Sequence, residues 1–182
     1  LSRTLAACLV VQQVFAPATK NKPYAYGGFW KHSLRVAELC RRLAETAHYH
    51  DTEEAYLAGL LHDIGQLLLL GGIESRYAAL LRASHSELAL FASEELALGT
   101  NHAEIGAWMI DQWELPDSYM ADAVMFHHTS ATNILTADTL SQIVWAAHQL
   151  SFPQLDTNTA ESSEWNSVRQ LFPLTQEQIS QI

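Results

Sequence analysis

The chain has 182 residues, enough to bury one sizeable core and too few for two ordinary domains to be expected. A hydrophobic fraction of 48%, a charged fraction of 16% and only 8 Gly and 5 Pro exclude a disordered or loop-rich scaffold. Twenty acidic residues against ten basic ones give a formal charge of −10, which argues against direct binding to nucleic acid or anionic membrane, although a metal ion would invert that field locally for a phosphorylated small molecule.

Apolar residues recur at three- and four-residue spacing while strand-like alternation is scarce, so the fold class is all-α. A first helix is predicted over 1–15. There Arg3, the apolar run from Leu5 to Val11 and Ala16-Pro17-Ala18 imitate a signal peptide, but Gln12 and Gln13 interrupt the run and an amphipathic helix is the reading adopted. No run approaches the roughly 18 apolar residues of a membrane span. Cys8 and Cys40 sit in apolar helical patterns without zinc-motif spacing, which implies buried thiols, no required disulfide and a cytoplasmic location.

After a loop with Pro17, Pro23 and Gly27-Gly28, a second helix is predicted over 29–47, with Leu34, Ala37, Cys40, Leu43 and Ala44 as its apolar stripe and His32 near it. A third starts at Asp51 or Thr52, where Asp51 and Glu54 suggest a capping box, and runs to Gly71-Gly72. It is apolar on nearly every face, so it should be the central buried helix. Further helices are predicted over 75–83, 86–98, 102–113, 116–127 and 136–150, with Thr100 or Asn101 as a cap and Pro116 in a first turn. A polar linker over 156–163 leads to short helices over 164–171 and 175–182. The division is then a helical domain over 1–155 with a tail over 156–182 packed on it. The start at Leu1, already inside a helical pattern, suggests a chain cut from something longer.

The third helix carries His62-Asp63 among Leu, Ile, Ala and Gly. A buried carboxylate without a partner costs several kcal/mol, and a cation is the economical partner. Imidazole with carboxylate suits one or two divalent transition-metal ions, Fe, Mn, Zn, Co or Ni, better than Ca. His32, His102, His127, His128 and His148 fall where other helices can bring them to the same point, whereas His48, His50 and His85 fall at helix ends or in polar surroundings. Taken singly, an inward His is ordinarily a hydrogen-bonded core residue, His127-His128 could answer a helix dipole, and Asp63 could cap or pair with a cationic side chain. Several imidazoles and one carboxylate on apolar faces of different helices favour a metal site. Trp30, Trp108, Trp113 and Trp145 read as packing residues, with a homodimer through a Trp-rich surface left open, and Glu94-Glu95 as a solvated face. No Gly-rich phosphate loop, nucleophile motif or dinucleotide fingerprint appears.

The phrases Phe29-Trp30-Lys31-His32-Ser33, Ala58-Gly59-Leu60-Leu61-His62-Asp63-Ile64-Gly65, Asn101-His102-Ala103-Glu104-Ile105-Gly106-Ala107, Trp113-Glu114-Leu115-Pro116 and His127-His128 resemble, in order, the HD superfamily and specifically its HDOD (HD-related output domain) branch. The resemblance implies a helical bundle around a pocket, found in bacterial signalling proteins, mostly without enzymatic activity and often attached to other signalling domains. It implies metal binding by His32, His62 and Asp63, and a second site completed by His102, His127 and His128 around a bridging Asp63. The helices that usually precede this region in such proteins are lacking, in keeping with a truncated start. An Asp common in a late Ala-Asp pair is here Ala147-His148, so His148 is the last ligand or that ligand is missing. The Lys usual in cyclic-dinucleotide phosphodiesterases after His-Asp-Ile-Gly is Gln66, and their Gly-Tyr-Pro signature is absent after His128, which disfavours cyclic-di-GMP hydrolysis. The leading expectation is a bacterial regulatory output domain with a histidine-rich metal site and other signalling proteins as partners. The alternatives are a metal-dependent phosphohydrolase acting on a nucleotide or other phosphoester, with Asp63 as the catalytic residue, and a metal-free remnant held by histidine hydrogen bonds.

Overall fold

The computed structural model describes residues 23–113, 119–152 and 163–174, and among these every regular element is a helix. In chain order they are α1 (Pro23–Thr46), α2 (Thr52–Leu61), α3 (Ile64–Gly72), α4 (Glu74–Ala83), α5 (Glu87–Leu98), α6 (His102–Asp111), α7 (Met120–Met125), α8 (Ala131–Ile134), α9 (Thr139–Leu150) and α10 (Ser163–Leu171). The expected helices over 1–15 and 175–182, the signal-peptide alternative, Cys8, Pro17, Pro116 and the linker from 156 to 162 lie outside the described residues.

Short polar side chains set the helix starts by accepting the first free backbone N–H groups. Asp51 accepts from Glu53 and Glu54, Ser86 from Ala89, Asn101 from Glu104, Ser130 from Asn133 and Asp138 from Ser141. Asn101, not Thr100, is therefore the α6 cap, and the single helix predicted over 136–150 begins only at the Asp138 cap. Gly99, in the left-handed region at φ 73, ends α5.

The long apolar helix is broken at its most polar point. His62 closes α2, and Asp63, at φ −100 and ψ 10, forms a turn before α3 whose carbonyl accepts the Gln66 N–H at 2.9 Å. Around this joint α1 packs along α2, α6 along α3, and α9 against α1, α2 and α7. Gly59 lets α1 come close: a Cβ there would stand 2.6 Å from Cys40 Sγ and 2.9 Å from Ala37 Cα. The stretch Thr52–Gly72 is, contrary to the sequence expectation, long and apolar enough to cross a membrane by length and composition, but 61% of its apolar window is buried inside the fold. Leu61, Ile64 and Leu67 within it are at most 1% exposed, each contributing about 1.5–3 kcal/mol of apolar burial.

Two packing expectations are corrected. Leu34 is 49% exposed, and the buried residues of α1 are Ser33, Val36, Ala37, Leu39, Cys40, Leu43 and Ala44. Trp145 is fully buried, but Trp108 is 66% exposed and Trp113 38%. On α6 the four-residue steps from His102 to Gly106 to Ile110 face the core, so Trp108, two residues from Gly106, points away. Trp165, Val168 and Phe172, from α10 and just beyond it, join the same hydrophobic core.

Candidate metal centre

Asp63, at the joint between α2 and α3, is 2% exposed and lies where five helical elements converge. Gly65 makes the convergence possible, because a Cβ there would overlap the His102 carbonyl oxygen, so α6 can approach α3 closely enough to bring His102 to Asp63. His127 and His128 follow α7, in a segment tied to α9 by the Trp145 Nε1–H bond to the Thr129 carbonyl at 3.0 Å. His32 comes from α1 and His148 from α9. The structure thus brings all seven sequence-predicted residues into one pocket, while His48, His50 and His85 are exposed, as expected.

The two oxygens of Asp63 face different imidazoles. Oδ1 is 3.3 Å from His102 Nε2 and 3.5 Å from His127 Nε2, and His128 Nε2 is 3.0 Å from His102 Nε2. Oδ2 is 3.3 Å from His62 Nε2 and 3.7 Å from His32 Nε2, which are themselves 3.2 Å apart. Ligands about 2.1 Å from a common ion are separated by about 3.0 Å at right angles and about 3.4 Å in a tetrahedron, so all these spacings but the wider one from His32 to Oδ2 match ligand pairs around a metal.

Hydrogen bonding on the far side of each ring fixes the tautomers. His62 Nδ1–H donates to the Gly59 carbonyl at 2.8 Å, His127 Nδ1–H to the Val124 carbonyl at 2.6 Å, and His102 Nδ1–H to Glu94 Oε2 at 2.7 Å. With Nδ1 donating on the far side, each of these rings presents its Nε2 to the Asp63 carboxylate, an approach that is favourable only with a cation or a proton between the two. Asp63 Oδ1, His127 Nε2 and His148 Nδ1 are buried without a hydrogen-bond partner. The cluster fits a metal ion: Asp63, His102, His127 and His128 form one set of convergent ligand atoms, and His32, His62 and His148 another.

Burial first, then neighbouring imidazoles, holds His127, His128 and His148 below the ordinary imidazole value, and His32 is lowered the same way. Burial also works against a charge on His62 and His102, but Asp63 outweighs it at His62, and Asp63 with Glu94 raises His102 to about 9. Asp63 is itself pulled well below the usual carboxylate range: burial works to raise it and is outweighed by the charge of His62 and by the imidazoles of His102 and His127 that face its other oxygen. Phe91, with its ring 5.0 Å from His128, and Phe152, 5.0 Å from His148, wall the pocket.

Sequence reasoning missed two glutamates on α5. Glu94, expected in a solvated face, is fully buried and accepts both His102 Nδ1–H and the His102 backbone N–H, while Tyr77 donates to its other oxygen at 2.5 Å. Glu87 lies 2.7 Å from His148 Nε2. The available signal was the spacing of Glu87, Leu90, Phe91 and Glu94, which share one helical face.

Solved structures share this architecture. A protein from Shewanella amazonensis provisionally named a phosphohydrolase is 21% identical with a TM-score of 0.71, aligning 98% of this chain with 66% of its own. An HDOD domain protein of unknown function from Geobacter sulfurreducens is 23% identical with a TM-score of 0.69, over 96% of this chain and 63% of its own. The MmoQ response regulator from Methylococcus capsulatus is 23% identical with a TM-score of 0.69, over 87% and 61%. The chain therefore spans less than two thirds of the length of these relatives. No curated protein matches it. The model of the HDOD domain matches residues 1–130, and the chain belongs to the HDOD domain family.

Proposed function

We propose that this chain is a regulatory output module of bacterial signal transduction, working in the cytoplasm, whose histidine pocket holds one or two divalent transition-metal ions. The observation that carries the reading is Asp63, a buried carboxylate whose two oxygens face two separate groups of imidazole nitrogens. An inner ion would be held by Asp63 Oδ1, His102, His127 and His128, and an outer ion by Asp63 Oδ2, His32, His62 and His148. Nitrogen-rich ligation of this kind selects Fe, Mn, Zn, Co or Ni. Bound metal would cross-link α1, the α2–α3 joint, α6, α7 and α9, so its presence sets the relation of helices that other signalling domains or proteins can read. Gln66, in place of a phosphate-facing Lys, supports regulation over catalysis, as does likeness to a protein named a response regulator. Elemental analysis of freshly purified protein tests the centre: one to two equivalents of a first-row metal are expected, and protein that stays metal-free after loading would sink it.

The second reading is a metal-dependent phosphohydrolase acting on a nucleotide or other phosphoester. It is favoured by the same carboxylate shared between two ligand groups, because paired ions supply charge that stabilises a displacement at phosphorus. Asp63 would then be catalytic through the ions it positions. Sustained multiple-turnover phosphate release by Mn- or Fe-loaded protein would establish the hydrolase, and inactivity across a phosphoester panel with metal fully loaded would leave the regulatory reading.

A further inference from the structure

Replacement of a carboxylate by His148 removes a negative charge from the centre, and the fold returns one from another helix. Glu87 opens α5 immediately after the Ser86 cap, which accepts the Ala89 N–H at 3.2 Å and fixes the helix start. Its Oε2 is 2.7 Å from His148 Nε2 and its Oε1 is 3.7 Å from His32 Nε2. A Glu87 oxygen lies within 4.8 Å of ligand atoms of His128 and His148, and likewise within 4.8 Å of those of His32 and Asp63, so one side chain reaches residues of both ligand groups.

Exposure shows where Glu87 stands. The side chains of His62, His102 and His127 are sealed and those of Asp63 and His148 are 3% exposed, but His32 is 19% exposed and Glu87 28%. Solvent reaches the centre on the Glu87 side. A catalytic metal site keeps a position open for water or substrate, and a structural one fills it with protein. A carboxylate at the mouth, in reach of the ligand atoms, is a protein group in that position.

We propose that Glu87 is an intrachain metal ligand that closes the outer half of the centre and excludes phosphate or other oxyanions from it. The inference rests on the metal reading above. It explains how an HDOD pocket with a nearly complete ligand set can be closed to a phosphoester: the competing anion is built into α5 and is present at a local concentration no free ligand matches. It also makes α5 the element that must shift for any exogenous anion to reach the ions.

The test uses the full chain saturated with Mn, with inorganic phosphate as the probe, and compares wild type with Glu87→Gln and Glu87→Ala. Both variants alter a partly exposed side chain, and circular dichroism verifies that they fold. Metal content and affinity are read by elemental analysis and competition with a chelator, and phosphate binding by paramagnetic broadening of its phosphorus resonance. The variants should hold the more weakly bound ion about 10- to 100-fold less tightly and, at saturating metal, bind phosphate at least about 10-fold more tightly than wild type. Equal phosphate affinity and equal metal affinity in all three proteins would overturn the role of Glu87 while leaving the centre intact. A wild type that takes up no metal would overturn the centre itself, and this inference with it.

Discussion

Two glutamates of one helix, seven residues apart, face the same pocket and meet opposite circumstances. Glu94 is fully buried, touches Tyr77 and two groups of His102, and stands behind the imidazole. Glu87 is 28% exposed at the side chain and stands among the ligand atoms themselves. The inner half of the centre follows Glu94: His102 and His127 each have Nδ1 locked on an acceptor, and both are sealed from solvent. The outer half is mixed: His62 is sealed with its Nδ1 on the Gly59 carbonyl, whereas His32, on the Glu87 side, is partly exposed with Ser151 Oγ 3.5 Å from its Nδ1. Burial and a satisfied second nitrogen, more than residue type, set the preorganised rings of His62, His102 and His127 apart from His32 at the mouth, because a buried ring keeps its orientation only when its second nitrogen is satisfied.

The largest expected effect removes what the halves share. Asp63→Ala takes a ligand from both, and metal content should fall below about one tenth of wild type, with a stability loss of about 3–5 kcal/mol by chemical denaturation. Retention of either ion at wild-type affinity would show that the halves do not meet at Asp63. Acid comes next, acting on protein stripped of metal. His32, His127, His128 and His148 are lowered from 6.5 in the fold, so the unfolded chain takes up protons first and stability falls as pH drops below about 6.5. His62 and His102 are raised, so their contribution is full below 6.5 and is lost as pH rises, for His102 through about 9. Thermal melting of the stripped protein should therefore peak near neutral pH. A melting temperature that stays flat from pH 7 to pH 5 would contradict the burial of these rings.

Third is Glu94→Gln, which keeps an oxygen for His102 but removes the charge that makes its imidazole a strong donor. Inner-ion affinity should drop about 10-fold or more, with the outer ion and phosphate exclusion unchanged. Chelator competition in the Glu94→Gln and Glu87→Gln proteins would show two different ions weakened if the division is real.

The all-helical class and the His-Asp pocket were legible in the sequence because they depend on periodicity and on polar groups stranded in apolar runs. His62 and Asp63 stood out against Leu60, Leu61 and Ile64, and His148 fell on the stripe of α9. The break at Asp63 was not legible, since the run from Ala55 to Leu70 is apolar on either side, no Pro marks the turn, and the His62-Asp63 pair reads equally as a site within one continuous helix. Glu94 was misread because a Glu-Glu pair looks solvated until one knows that His102 packs beneath it, a contact made eight residues away through the left-handed turn at Gly99. Glu87 escaped for the opposite reason: it sits in a first turn, where an acidic residue is explained by the helix dipole alone. Trp108 looked like core because aromatic residues usually are, yet its phase on α6 opposes the His102, Gly106 and Ile110 face.

The smallest effect isolates the inner half most cleanly. Tyr77 is the buried residue of α4, and its hydroxyl donates to Glu94 at 2.5 Å without touching any ligand. Tyr77→Phe keeps the ring and its packing but leaves Glu94 Oε1 buried without that donor, a cost of about 1–3 kcal/mol. Released from Tyr77, Glu94 can rotate, and His102 loses part of its orientation, so inner-ion affinity should fall by less than in Glu94→Gln. Phosphate should remain excluded, because Glu87 acts on the other side of Asp63's carboxylate and α5 keeps its cap at Ser86. Measured together in Tyr77→Phe, a weakened inner ion with an unchanged phosphate signal would separate positioning from closure. Loss of both ions in parallel would instead mean that α4 and α5 hold the centre as one body, and that the two glutamates differ in exposure but not in role.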